Sequence, residues 1–260
     1  MKVTTQLFFI VLLVLMTSTG IAKSATLSDI KPDETVVFFN TSAWFDTEKA
    51  QWHVPIHGWI YEPEDSTVRR KVVAKSLEAA LGLIVTDATE QNFKERVNLL
   101  LADNERGKTL VIKFSDRRYV LNVSSANGHF KHDLVVDESI VGQAIVDKAI
   151  VDNKASQGQL TFQAVMPEGD SRTFMGVANL VKPKGLSIIS DIDDTIKISQ
   201  VTDHKALLNN TFFEDFKAVP GLAELYQEWL GGEGSLHYVS SSPWQLYPVL
   251  LSFLNDSGFP

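Results

Sequence analysis

The chain contains no cysteine among its 260 residues. Disulfide staples and a cysteine-borne lipid anchor are therefore excluded, and stability has to come from a packed core. Nor is there a Lys/Arg block: 24 basic against 32 acidic residues leave a formal charge of −8. That balance excludes a nucleic-acid footprint and gives no general pull toward anionic lipid. Long apolar runs are also scarce, and only residues 7–16 are unbroken. As a helix those ten residues would span about 15 Å, half of a hydrocarbon layer about 30 Å thick.

Lys2 precedes that run and small, polar residues from Thr17 to Ala25 follow it. The pattern reads as a signal peptide over residues 1–25, so the protein is expected to be exported, periplasmic or secreted. An uncleaved anchor running through Ile21 is the alternative. Four glycosylation sequons, at Asn40, Asn122, Asn209 and Asn255, are within the number expected by chance.

What is present is globular: 44% hydrophobic and 22% charged residues. The length suits one large domain or two of ordinary size. Strands are predicted over 35–39, 111–114, 119–123, 130–136, 160–166 and 173–181, with turn residues between them. Helices are predicted over 72–81 and after Thr89, which is placed to cap the second. An antiparallel β-sandwich-like domain with two helices, residues 26–182, is the expectation. Lys182 to Gly185 reads as a linker.

After the linker the pattern becomes α/β. A short strand ends at Ser190 and opens into Asp191, Asp193, Asp194 and Thr195. Carboxylates at i and i+2 can share one side of a strand end, and open ends of parallel strands are where ligands bind. Each close pair repels by about 4 kcal/mol near a protein surface, which a hard cation such as Mg²⁺ relieves. An EF-hand loop is excluded, because Ile196 and Thr202 stand where its glycine and closing glutamate belong. A helix is predicted from Pro220, a strand over 236–239, and a further helix with Ser242 as its cap and Pro243 at its first position. Ser240 immediately follows that strand and should lie beside the carboxylates if the two strands pair in parallel.

The D-x-D-x-T pattern of Asp191, Asp193 and Thr195 resembles that of the haloacid dehalogenase superfamily. With Val219 to Leu222, the string from His237 to Tyr247, and Gly258 to Pro260, residues from about 185 onward resemble the catalytic domain of the actin-patch-type phosphatidate phosphatases. That resemblance implies a dehalogenase-type Rossmann-like domain over residues 183–260 and Mg²⁺-dependent hydrolysis of phosphatidate to diacylglycerol and phosphate. It further implies Asp191 as nucleophile and metal ligand, and Asp193 as general acid and base with a raised pKa, its metal contact through the main-chain carbonyl. Thr195 would orient the loop and Ser240 would bind the phosphoryl group; the partner would be a phospholipid at a membrane surface. Family members supply a lysine and more metal carboxylates from later strands, so the domain is expected to be incomplete and the activity of these 260 residues does not follow. Lys197 reads as a solvated charge, and Trp244 and Tyr247 as helix packing. Two rivals stand beside this reading: a phosphatase of another phosphomonoester, and a non-enzymatic binding protein with a vestigial phosphatase segment.

Overall fold

A computed structural model of the chain describes residues 27–260, apart from 65, 83–85, 87–88, 115, 145–157 and 233. The expected signal peptide lies outside the described residues. No described helix is long and apolar enough to cross a membrane.

Among the described residues nine strands form one sheet in place of the two antiparallel sheets expected. They are β1 (Thr35–Phe39), β2 (Thr41–Asp46), β3 (Gln51–Glu62), β4 (Asp103–Asn104), β5 (Val111–Phe114), β6 (Arg117–Val120), β7 (His129–Asp137), β8 (Gln159–Ala164) and β9 (Met175–Val181). β3 is the organiser. One edge pairs with β7, and the other pairs first with β2 and then with β1. From β2 the sheet continues through β9, β8 and β5 to β6, and the β2–β9 pairing is parallel.

β3 and β2 were not expected from the sequence, and for β3 the reason lies in two of its residues. Pro55 falls between His53, the last residue paired with β2, and His57, the first paired with β1. A proline is tolerated at such a changeover because it has no N–H to offer a ladder. A side chain at Gly58 would run into the Phe130 ring and the Val37 carbonyl, so close packing demands glycine. The bent sheet encloses its own core. Phe38 meets Phe130 and Phe162 edge to face at 5.7 and 5.1 Å, joining β1 to β7 and β8, each contact adding about 0.5–1.5 kcal/mol beyond area burial.

Helices α1 (Thr67–Leu81) and α2 (Glu90–Leu101) pack on each other through Val73, Leu77, Phe93 and Val97. α1 starts earlier than predicted, and Ser66 Oγ accepts the Arg69 N–H at 3.3 Å at its head. Thr89 precedes α2 but makes no capping hydrogen bond.

Beyond the linker, β10 (Ser187–Asp191) and β11 (Ser235–Val239) form a separate two-stranded sheet, parallel as the sequence led us to expect. Helices cover His204–Phe212, Leu222–Leu230 and Tyr247–Asp256, and the first of them is capped by the Asp203 carboxylate. Their core gathers Ile192, Ile196, Tyr226, Leu250, Phe253 and Phe259. This unit is packed against the large sheet. Phe39 meets Trp244 and Tyr247 at 4.5 and 4.9 Å, and the Asn40 N–H donates to the Tyr247 hydroxyl at 2.8 Å. Trp244 and Tyr247 thus join the two parts of the chain, a role their helical spacing did not reveal.

Candidate active site

The register of the small sheet sets Asp191 opposite Val239. Ser240 is therefore the first residue past β11, level with the carboxylate turn that leaves β10. Between Ile192 and Lys197 the chain folds into a tight turn in which three N–H groups, of Thr195, Ile196 and Lys197, point at the Ile192 carbonyl. Asp194 adopts φ +59° there, a left-handed conformation that Asp tolerates better than most residues. Its carboxylate accepts the N–H groups of Ser199, Gln200 and Val201 at 2.7–2.8 Å, and these hold it below the usual carboxylate range. The Asp194 carboxylate thus ties the loop.

Asp193 is the centre of the site. Its Oδ1 receives Lys197 Nζ at 2.8 Å and the Ser199 hydroxyl at 2.7 Å. Its Oδ2 receives Ser242 Oγ at 3.0 Å and Ser240 Oγ at 3.3 Å. Burial would raise the Asp193 pKa, but hydrogen bonds from Lys197 and Ser199, the lysine charge and the Ser242 bond outweigh it. The group is held below the ordinary carboxylate range, opposite to the raised value expected of a resting general acid.

Lys197 is not a solvated charge. It is 2% exposed, donates to Ser199 Oγ at 2.5 Å and lies 4.7 Å from the centre of the Phe216 ring. The Arg96 guanidinium lies over the same ring at 4.1 Å and donates to the carbonyls of Thr211 and Glu214. α2 thus fixes the loop that carries Phe216, and Phe216 closes over the lysine. Ser242 also departs from expectation. Its hydroxyl goes to Asp193, and Pro243 occupies the cap position of the helical turn Trp244–Leu246 without a side-chain bond. Thr195 contributes its main-chain N–H to the turn, but its hydroxyl does not join the Asp193 group.

Asp191 ends β10 with its side chain exposed and, among the described residues, without a hydrogen bond. No group of three or more His, Cys, Asp or Glu side chains suited to a metal occurs among the described residues. A hard dication takes oxygen ligands, and the Asp191 carboxylate at the strand end is one that no hydrogen bond engages among the described residues.

The family described as phosphatidate phosphatase APP1, catalytic domain, matches residues 186–260. Residues 186–260 are thus similar to that family's catalytic domain. Phosphatidate phosphatase APP1 of Saccharomyces cerevisiae is 36% identical over 87 residues, covering 32% of this chain and 15% of that protein. An uncharacterized protein of Schizosaccharomyces pombe is 25% identical over 183 residues, 66% of this chain and 29% of its own length. The second match is longer than residues 186–260, so the likeness extends into the large sheet. The chain spans less than a third of either relative.

Proposed function

We propose that the chain carries the phosphomonoesterase centre of a phosphatidate phosphatase, with β10 and β11 as neighbouring strands of a dehalogenase-type sheet. The observation that carries this reading is the convergence of Asp191, Asp193 and Ser240 at one end of a parallel strand pair, within a segment similar to the phosphatidate phosphatase catalytic domain.

In this reading Asp191, exposed and unencumbered, attacks phosphorus. The phosphorus–alkoxide bond breaks, the departing oxygen takes up a proton to give diacylglycerol, and an aspartyl-phosphate remains. Water then attacks that phosphorus, phosphate leaves, and the Asp191 carboxylate is restored. Asp193 is held as an anion, which suits it to take the proton of the attacking water. Its acid role in the first half requires it to carry a proton, and so to loosen its hold on Lys197. Ser240, at the strand end, is placed to hydrogen-bond a phosphoryl oxygen, and Ser242 holds Asp193. Bound Mg²⁺, held by the Asp191 carboxylate and Asp193 carbonyl, would supply charge neutralisation to the phosphate. Substrate would be met at a membrane surface, after export directed by residues 1–25.

Phosphate release from dioctanoyl phosphatidate, with Mg²⁺ and with chelator, tests the reading. Wild type should depend on Mg²⁺, and Asp191→Asn should be inactive with an unchanged melting temperature. Equal turnover by Asp191→Asn and wild type would overturn it.

A further inference from the structure

We propose that the pocket between the large sheet and the helical turn Trp244–Leu246 binds a small organic monocarboxylate, its charge at Lys131 and its apolar body against Trp244. The site is separate from the strand-end carboxylates and does not depend on the phosphatase reading.

Strand register builds the floor of this pocket. His57 of β3 lies opposite Lys131 of β7, and His129 stands two residues before Lys131. Alternation along a strand and direct pairing across it put all three side chains on one face. Pro243, Trp244 and Gln245 come over that face from the C-terminal segment, with the Trp244 ring 4.9 Å from the His57 ring. Between them lies a space of about 570 Å³, within the range of about 300–1,000 Å³ that small-molecule sites occupy.

The polar lining is rich in donors. His57 Nε2 and His129 Nδ1 are 3.1 Å apart. Whichever ring donates, the accepting neutral ring carries its own proton on the outer nitrogen, so the pair always keeps one N–H to offer. Asn127 Oδ1 accepts the Ser125 hydroxyl at 2.6 Å and the His129 N–H at 3.3 Å. The Asn127 Nδ2 and the Gln245 amide make no hydrogen bond among the described residues. An ionised carboxylate is all acceptor and can use each of these donors.

Charge balance selects the ligand. No Asp or Glu side chain lines the pocket, and Lys131 supplies its formal charge. Burial and the Lys131 charge hold the pKa of both imidazoles below the ordinary histidine value, so they are neutral near pH 7. One fixed positive charge matches one negative charge, whereas a phosphate dianion would carry a second without a partner. A metal cation would be repelled by Lys131 and would have to break the His57–His129 bond. Val123, Pro243 and Trp244 supply an apolar side, and Val123 and Trp244 are exposed there. A carboxylate on a ring or short alkyl body meets both sides of the pocket. Pro243 directly follows Ser242, so a bound carboxylate rests on the turn whose serine holds Asp193.

The test titrates the full chain with benzoate, benzamide and inorganic phosphate. Binding is followed through the Trp244 indole and Gln245 side-chain amide signals in ¹H–¹⁵N spectra. Benzoate should bind saturably and move both signals. Benzamide has the same shape without the charge and should bind about tenfold more weakly, the loss expected for a hydrogen bond to a charged group. Lys131→Gln removes the countercharge, and Val123→Glu places an opposing charge at an exposed position. Each variant, with a melting curve matching wild type, should weaken benzoate by about tenfold. No saturable benzoate binding overturns the proposal, as do shifts that spare Trp244 and Gln245, or equal affinities for benzoate and benzamide. Phosphate binding more tightly than benzoate overturns the choice of a monocarboxylate. The benzoate–benzamide comparison uses wild type alone, so it decides the matter even where a variant fails to fold.

Discussion

Lys197 lies four residues after Asp193, and its ammonium sits 2.8 Å from the aspartate Oδ1 with the lysine almost wholly buried. Replacing Lys197 by Met keeps the side-chain bulk but leaves the carboxylate with its charge uncompensated in a largely enclosed site. Breaking one side of a buried pair costs about 3–5 kcal/mol, and the partial exposure of Asp193 puts the expectation near about 3 kcal/mol. Urea denaturation of Lys197→Met measures it. A midpoint equal to wild type would show that the pair contributes nothing to folding.

The two serines on Asp193 differ in what they do, and truncating each should separate them. Ser240→Ala removes the hydroxyl placed for the phosphoryl group, so kcat should fall about 10²-fold, the usual effect of losing one transition-state donor. Ser242→Ala removes only a bond to Asp193 and should cost about tenfold or less, in line with about 1.5 kcal/mol for a bond to a charged group. Phosphate release from dioctanoyl phosphatidate gives both values, and the reverse order would reassign the phosphoryl contact to Ser242.

A pH dependence is built into the junction between the two parts. His57 Nε2 and His129 Nδ1 are 3.1 Å apart, beside Phe39 and Trp244. Burial, then the charges of Lys131 and His129, push the His57 pKa down to about 4. The unfolded imidazole titrates near about 6.5, so between these values the unfolded chain binds more protons. Stability is therefore whole above about pH 6.5 and falls as pH drops toward about 4. Melting temperatures from pH 7.5 to 4 should show the fall, and His57→Gln should flatten it. An unchanged slope in the variant would place the titration elsewhere.

The strand pairing of the C-terminal segment was more legible than the architecture around it. Asp191, Asp193 and Ser240 follow short apolar strands bounded by glycine, and parallel pairing needed only one helical crossover between them. β3 was hidden because Pro55 and Gly58 read as breakers until their neighbours are known. β2 was hidden because Asn40 and Asp46 frame it with residues that favour turns. Lys197 and Ser199 were invisible for a different reason. Their burial depends on Phe216, some twenty residues on, and on the left-handed turn at Asp194. The spacing of Asp193 and Lys197 was a signal of pairing, but spacing alone does not distinguish a buried pair from a solvated one. Ser242 was masked by its proline neighbour, which made helix capping the simpler expectation.

Two branched residues of the small sheet stand exposed next to the candidate nucleophile, and this predicts how the protein behaves in solution. Alternation along β10 and β11 sends Ile188, Ser190, Leu236 and Tyr238 to one side, where the helices Leu222–Leu230 and Tyr247–Asp256 cover them. Ile189 and Val239 go to the other and are 75% and 60% exposed. Exposed β-branched residues on a short two-stranded sheet favour association between chains. Ile189→Lys and Val239→Lys each place a charge on that face without touching the core, so folding stability should change by no more than about 0.5 kcal/mol. Light scattering at rising concentration should show wild type self-associating and both variants remaining monodisperse. Equal association by wild type and by the double variant would mean that another surface drives it.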